Sequence, residues 1–537
     1  MTLSTRTFAI TALLGALAAC APLRFQDRPI VWSVSDDRDI PEPEEREYLR
    51  YGYFADIFAF RRLERALELR TLHPAKNPNA LEEVPDSTWF QNRLSVRDYT
   101  PEELARGPAG DPAPAPPFTI ERGKSGGGAL GFVMKDTNGR SFLVKFDRPE
   151  NPEMQTGTDV VVDRIFWTFG FHVPADYVFF ARREDFQIAP EAKATDALGH
   201  KVPYSPSMLD EALSAGAPPI GGVYRATASA YLDGVPKGGF SAEGIRRDDP
   251  NDRVPHEDRR ELRGLRVLAA WLNHTDMKED NTLDVFVTEK RRSFLRHYLV
   301  DFGEALGGHG AEKGRREDGY EHLVDWENQG LALLAFGFWT RPWEDLRPSP
   351  YRALGTFGME ATWDPREWRE AYPYWPFAEM DATDAFWAAK IITRFTRAHL
   401  DAIVAEARFT EPGAASYLVE ALTSRQRAIA NAYLDALTPL DGFELEGGRL
   451  CATDVMVARG YATGGTVERA DDGDVVESAP IEPTGRACVA LPRADAYTVV
   501  KLRVRRGSTA RPWLEVHVAE AEGGAHVLGL VRDAGGG

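Results

Sequence analysis

Apolar and polar residues follow each other in three distinct patterns along this chain. Between residues 44 and 70, Leu49, Tyr53, Ile57, Phe60 and Leu67 recur at helical spacing with charged residues between them, which predicts an amphipathic helix. From Phe118 to about Phe180 the pattern becomes strand, glycine-rich turn, strand, helix, strand. Within it, Ser141-Phe-Leu-Val-Lys145-Phe alternates as a strand that carries a lysine in its apolar run. The helix covers 157–170, with Thr156 or Thr158 as cap and Gly170 as stop. Val223–Leu232 is a further β-like run ending on Asp233-Gly234, placed where a connection between two lobes would run. Residues 256–273 place Leu262, Leu265, Leu268, Ala269 and Leu272 on one side of a helix, and Thr282–Val287 with Phe294–Val300 predict a hairpin. Residues 385–408 and 414–437 predict two long helices. After Asp441 the chain turns to short alternating runs (Tyr497–Val504, Trp513–Val518, His526–Val531), the signature of a small sandwich-like β domain. No internal repeat is present.

Between these segments, residues 21–43, with Pro41 and Pro43, read as a spacer. Val84–Arg93 is a compact aromatic and polar stretch suited to docking the N-terminal extension, and the Pro- and Ala-rich 107–117 is a linker. Trp339–Trp375 is rich in Trp, Tyr and Pro; burial in the larger body is favoured there over a substrate groove. The expected fold class is α+β. The expected divisions are 1–20, 21–117, 118–235, 236–440 and 441–537.

With 537 residues, 43% of them hydrophobic, and twelve Trp, the chain can fill two or three cores. A net charge of −18 with no basic stripe excludes nucleic acid as a partner. The doublets Arg259-Arg260, Arg291-Arg292 and Arg315-Arg316 read as solvated faces. At the N-terminus, Arg6 precedes an apolar run from Phe8 to Leu17 that is too short for a permanent span. The run ends Leu17-Ala18-Ala19-Cys20, which resembles the bacterial lipobox. That resemblance implies a signal peptide over 1–20 and acylation of Cys20, palmitate being one such chain, which would tether the protein to a membrane. The expected location is the bacterial cell envelope, with Ala21 favouring an outer membrane and the periplasmic side. Cys451 and Cys488 remain, and outside the cytosol they could pair as a disulfide. No zinc-ligand spacing occurs.

The chemistry concentrates in His274-Thr-Asp276-Met-Lys-Glu-Asp-Asn281, followed twenty residues later by Asp301-Phe302-Gly303. The spacing H-x-D-x-x-x-x-N and then D-F-G suits phosphoryl transfer. One Asp reaches the attacking hydroxyl, an Asn five residues on turns back to a metal ion, and a second Asp holds the ion from the other side. The bland alternative gives Asp276 and Asn281 to a helix cap or Asx turn and Asp301 to a strand-end turn. Upstream, Gly126, Gly127, Gly128 and Gly131 lie between two strands, where backbone N–H groups can approach phosphate because no Cβ intervenes. The stretch is not a Walker A loop. Asp159 and Asp163 share a helix face with Val162 and Phe166, and two carboxylates there call for a cation. Lys145 is that candidate, with Asp159 the first choice of partner and an acidic first turn as its alternative.

These residues together resemble an atypical branch of the protein-kinase-like superfamily, closest in flavour to its HipA and phosphoinositide-kinase-like members. Asp301-Phe-Gly303-Glu-Ala-Leu-Gly307 and the missing Arg after His274 carry that flavour. The resemblance covers about residues 118–440. It implies a two-lobed kinase-like fold between an N-terminal helical extension and a small C-terminal β domain. It further implies ATP and Mg²⁺ as cofactors, Asp276 as catalytic base, Lys145 on the phosphates, Asn281 and Asp301 on the metal, and His274 as a scaffold residue. An Asp at position 159, where the pattern has Glu, demands a closer helix. The expected function is phosphoryl transfer to an unknown acceptor. The alternative is a non-catalytic, kinase-shaped envelope lipoprotein that binds a ligand or partner.

Overall fold

Residues 33–47 are not a spacer: they lie on the surface of the main body and are stitched to it. Asp36 is buried and accepts from the backbone N–H and hydroxyl of Thr88, at 3.0 and 2.7 Å. Ile40 is also buried, and Glu42 pairs with Lys237 at 2.6 Å. The expectation failed because proline in a segment blocks regular structure without preventing it from packing. The computed structural model describes residues 24–47, 49–67, 73–124, 131–196, 199–309, 312–336, 338–344, 346, 348–359, 363–492, 496–521 and 524–533. They form two compact units: 33–77 with 84–435, and 1–32 with 78–83 and 436–537.

In the larger unit the predicted N-terminal helix is divided into α1 (Arg50–Ala55), a π-helical turn (Asp56–Phe60) and α2 (Arg61–Leu67). A short α3 (Pro101–Arg106) follows, closed by a capping box between Thr100 and Glu103. The small lobe is a seven-stranded mixed sheet. Its strands are β1 (Phe118–Gly123), β2 (Gly131–Lys135), β3 (Ser141–Lys145), β4 (Asp176–Ala181), β5 (Phe186–Thr195), β6 (Lys201–Pro203) and β7 (Tyr224–Ala230). The order is β4-β7-β3-β2-β1-β5-β6, antiparallel except where β1 meets β5. Period-two alternation sends Phe142 and Val144 into the core on one face, with Phe118, Phe132, Phe179 and Phe186. Helix α5 (Pro206–Ala215) closes that face through Leu209 and Leu213, and Lys145 faces the other side. Helix α4 (Met154–Phe169) lies there, buried along nearly its whole length.

From β7, residues 231–234 lead to β8 (Val235–Pro236), which pairs with the strands of the large lobe rather than with the seven-stranded sheet. The large lobe is built on α6 (Arg260–Leu272) and the hairpin β9 (Thr282–Glu289) and β10 (Arg292–Leu299). Strands β11 (Gly308–His309) and β12 (Glu312–Lys313) pair after the hairpin. Five helices follow: α7 (Trp326–Leu334), α8 (Trp375–Ala378), α9 (Ala382–Ile392), α10 (Arg397–Ala405) and α11 (Ala414–Ile429). The stretch 385–408 is therefore two helices, broken where the Thr396 hydroxyl caps a new start. Arg259 and Arg260 are not solvated. They are buried and paired, Arg259 to Asp252 at 3.0 Å and Arg260 to Asp384 at 2.9 Å. Local polarity marks charge but not its distant partner. Trp363, Trp368, Tyr374 and Trp375 are buried, as aromatic burial predicted, whereas Trp339 and Trp343 are half-buried and line a cavity.

Among its described residues, the regular elements of the smaller unit are strands apart from α12 (Val455–Ala458). Strands β13 (Leu440–Glu446), β14 (Arg449–Asp454) and β17 (Arg486–Ala490) form one sheet; β15 (Thr466–Asp471), β16 (Asp474–Pro480), β18 (Tyr497–Arg506), β19 (Thr509–Ala510), β20 (Leu514–Ala521) and β21 (Gly524–Arg532) form the other. Their inner faces share one apolar core, including Leu450, Val489, Val500, Val504 and Val516. Cys451 and Cys488 face each other across β14 and β17 and form a disulfide. Two short pieces from far upstream complete this unit, so its limits are not those of 441–537. The Ala80 carbonyl accepts from Leu530 at 2.8 Å, and Glu82 pairs with Arg532 at 2.7 Å.

Candidate functional site

Lys145 ends β3, and the sheet alternation aims it at α4 and at the turn that follows β10. Its Nζ sits 2.8 Å from Oδ1 of Asp301 and 3.6 Å from Oδ2 of Asp159. Three residues spread over more than 150 positions of sequence thus meet in one ion cluster, with Lys145 and Asp159 buried and Asp301 half-exposed. Of the two helix carboxylates, Asp159 is the one that faces the lysine. Asp163 is spent elsewhere, accepting from Arg164 and from the Asp176 backbone N–H, both at 2.9 Å. Helix α4 comes close enough for the short Asp because the turn beyond β10 has no side chain at Gly303. A Cβ there would stand 3.2 Å from Asp159 Oδ1 and 2.9 Å from Gln155 Nε2.

The loop after α6 supplies the second half. Asn273 ends the helix in the left-handed conformation, a role its short polar side chain tolerates, and accepts from Trp368 Nε1 at 2.9 Å. Asp276 then lies buried beside Asn281, whose Nδ2 donates to its carbonyl at 2.8 Å and to Oδ2 at 2.7 Å. Lys278 donates to the other carboxylate oxygen at 2.5 Å. This loop and the Asp301 turn are joined by backbone: Val300 N–H donates to Asn281 O at 3.0 Å, and Leu306 N–H to Leu272 O at 2.7 Å. His274 is buried beneath them, its ring 6.1 Å from Phe302 and 5.8 Å from Phe166. Asp301 itself has φ of +64°, a left-handed backbone that costs a non-glycine residue energy and is held only by its surroundings.

Charge follows from this packing. Burial pulls Lys145 downward, but the carboxylates of Asp159 and Asp301 more than reverse it and keep the ammonium charged. Lys145 in turn holds Asp301 down at about 2. Burial lifts Asp159 to about 6 against the pull of Lys145. Burial also raises Asp276, although Lys278 and Asn281 oppose it. Desolvation lowers His274 to about 4, so it is neutral at physiological pH and suited to packing rather than proton transfer.

Three participants escaped the sequence reading. Lys278 grips Asp276. Glu304 is raised to about 7 by burial and then by the negative charge of Asp276. Lys124, at the end of β1, senses the charges of Lys145, Asp301 and Asp159. The one available signal was position: each lies within three residues of a residue already singled out. Gly126, Gly127, Gly128 and Cys20 lie outside the described residues. Gly131, which closes the same turn, is described: a Cβ there would fall 1.9 Å from the Val144 carbonyl oxygen, so β2 can lie against β3 only without one.

As for a divalent ion, the donor set fits one that is shared with a phosphate ligand. Asp301 keeps about half its side chain exposed, and Asn281 is buried with its N–H groups committed to Asp276, so that its amide oxygen is the atom it could offer to a cation. Among the described residues no group of three or more His, Cys, Asp or Glu is poised around a metal. One carboxylate and one amide oxygen match Mg²⁺, which takes few protein ligands and completes its shell with phosphate and water. A cavity of about 1050 Å³ lies beside the inter-lobe connection, lined by Phe142, Tyr231, Leu232, Arg296 and Tyr298, rather than at Lys145.

Fold and site together define a class: a two-lobed α+β chain with a strand lysine, a helix carboxylate and an Asp-Phe-Gly turn in one cluster. No protein-family profile and no curated protein matches the sequence. Among solved structures, the Golgi casein kinase with Mn and ADP bound overlaps at a TM-score of 0.30 and 10% identity, over 60% of this chain and 72% of that one. A second structure of the Golgi casein kinase overlaps at 0.31 and 10% identity, over 75% and 93%. Overlaps this weak carry no argument about activity, which must rest on the site itself.

Proposed function

We propose that this protein is an ATP- and Mg²⁺-dependent phosphotransferase. The observation that carries the reading is the cluster in which Lys145 bonds Asp301 while facing Asp159, beside an Asp276 held by Asn281 and Lys278. In this reading Lys145 and the glycine turn hold the phosphates, and Asp301 and Asn281 would hold the divalent ion, which supplies charge neutralisation on the phosphates when bound. Asp276 accepts the proton of the acceptor hydroxyl, and its raised pKa suits a base. Lys145 already charged and in place means little reorganisation is needed before transfer. The D-F-G-E-A-L-G sequence at 301–307 supports an atypical branch over the ordinary protein kinases.

Protein beginning at residue 21 should gain thermal stability from nucleotide plus Mg²⁺, and Asp301→Ala should lose that gain. Asp276→Ala should keep the nucleotide shift and lose turnover by roughly 10²–10⁴-fold. No shift with any nucleotide at millimolar concentration, with Mg²⁺ or Mn²⁺, would leave the binding-only alternative standing. We further propose that Cys20 is acylated and tethers the protein to the cell-envelope membrane. Cys20→Ser should then move the protein from the membrane fraction to the soluble one, and persistence in the membrane fraction would refute the tether.

A further inference from the structure

Helix α7 runs into a stretch, Gly330 to Trp339, that contains no charged residue. Burial would be expected of such a sequence, yet its large side chains face outward. Leu333 and Leu334 are each 78% exposed, Phe336 87% and Phe338 92%, and Trp326 and Leu331 are more than half exposed. Helix α2 extends the same face with Phe60, Leu63 and Leu67, all well exposed. The two elements are joined: Arg62 donates to the Val324 carbonyl at 3.0 Å, and Trp326 Nε1 to the Phe58 carbonyl at 3.3 Å. The cations of α2 turn inward. Arg65 bonds Glu243 and Glu379 at 2.9 and 2.8 Å, and Arg61 pairs with Asp56 and Glu243. What remains outward is a concentration of large apolar side chains, with the carboxylates of Glu64 and Glu327 exposed among them, more than monomers in water usually keep.

We infer that this surface seats in the interfacial layer of a phospholipid bilayer. The inference rests on the acyl-anchor reading of Cys20. That residue precedes Arg50 by thirty positions of the same chain, so an acyl anchor there would tether the chain that carries the face. An anchor of several acyl chains at Cys20 would already hold the chain at a membrane, so an apolar face reaching the same membrane would set its orientation there. Aromatic side chains dominate the outward tip, as suits the boundary between headgroups and acyl chains. A net charge of −18 opposes pairing with a second copy and favours zwitterionic over anionic lipid. The face also borders the catalytic loop. The rings of Phe54 and Phe58 lie 5.5 and 6.0 Å from Tyr372, whose ring lies 5.1 Å from Lys278 Nζ. Seating it would hold the Asp276 loop one aromatic layer from the lipid.

The test uses the full chain carrying Cys20→Ser, in which the remaining cysteines are held in the disulfide. An environment-sensitive fluorophore is attached through Phe338→Cys, and in a second protein through Glu184→Cys on the small lobe. Vesicles of phosphatidylethanolamine and phosphatidylcholine should blue-shift and brighten the label at 338 several-fold and leave the label at 184 unchanged. Leu333→Ser with Phe336→Ser, at unchanged circular dichroism, should cut vesicle co-sedimentation at least fivefold. Three outcomes would overturn the inference: no response at 338, equal responses at 338 and 184, or undiminished sedimentation of the double variant. A shift at 338 that grows with protein concentration in the absence of lipid would overturn it in favour of self-association. None of these readouts uses turnover, and the fate of Cys20→Ser in cell fractions reports on the anchor separately.

Discussion

Glu304 shows how one residue can set the working range of such a site. Its carboxyl is held at about 7 by burial and then by Asp276. Because that lies above the unfolded value of about 4.3, the folded state binds the proton more tightly. The stability tied to this group is therefore full below about pH 4.3 and is lost as pH rises through about 7. Ionisation also adds negative charge near Asp276 and Asp301. Glu304→Gln should flatten the stability-versus-pH curve between those limits and remove a limb near pH 7 from the rate profile; an unchanged profile would show that the group does not couple to the site. At this scale the sequence was informative where a residue sat in a spaced motif, as Asp276, Asn281 and Asp301 do. It was silent on Glu304 and Lys278, whose roles come from neighbours across space. It misjudged Arg259 and Arg260 because a buried ion pair and a solvated charge look alike in one dimension.

Among the elements, the N-terminal extension does more than link. Arg46 donates to Glu279 at 2.7 Å and to the Gly239 carbonyl at 2.9 Å, and Glu279 sits in the turn that leads to Asn281. The Glu279 carboxylate also accepts from the Ala242 backbone at 2.9 Å, so it is buried and fully engaged. Arg46→Ala should cost about 1–3 kcal/mol by leaving that carboxylate short of a partner. A thermal melt checks the stability, and on the proposed function any phosphotransfer should fall with it as the Asp276 loop loosens; an unchanged melting temperature would refute the clamp. Strand and helix periodicity made most elements of the small lobe legible, including the lysine strand. The docking of 33–47 was not legible, since its contacts are single polar pairs without a repeating pattern. The break at Thr396 was also missed, because the apolar spacing continues through it.

For the whole molecule, the disulfide decides how the smaller unit holds together. It closes a loop of 37 residues between adjacent strands, worth about 4 kcal/mol in chain entropy. Replacing both Cys451 and Cys488 with Ser should lower the calorimetric transition of that unit and leave the larger unit's transition in place. Equal melting of both proteins would mean that strand pairing alone carries the stability. The alternation after Asp441 announced this β unit clearly, whereas the pieces at 24–32 and 78–83 that complete it carry no local sign of their destination.

Gly131 lies opposite Lys145 in the pairing of β2 with β3, with no room for even a methyl group against the Val144 carbonyl. Substituting alanine there would pry apart the two strands that frame the lysine while deleting none of the ionisable groups. Such a chain offers a control that conventional charge removal cannot: the same ionisable groups and the same formal charge, altered only in spacing. Comparing it with the charge-deleted variants would separate what the ions contribute from what their placement contributes.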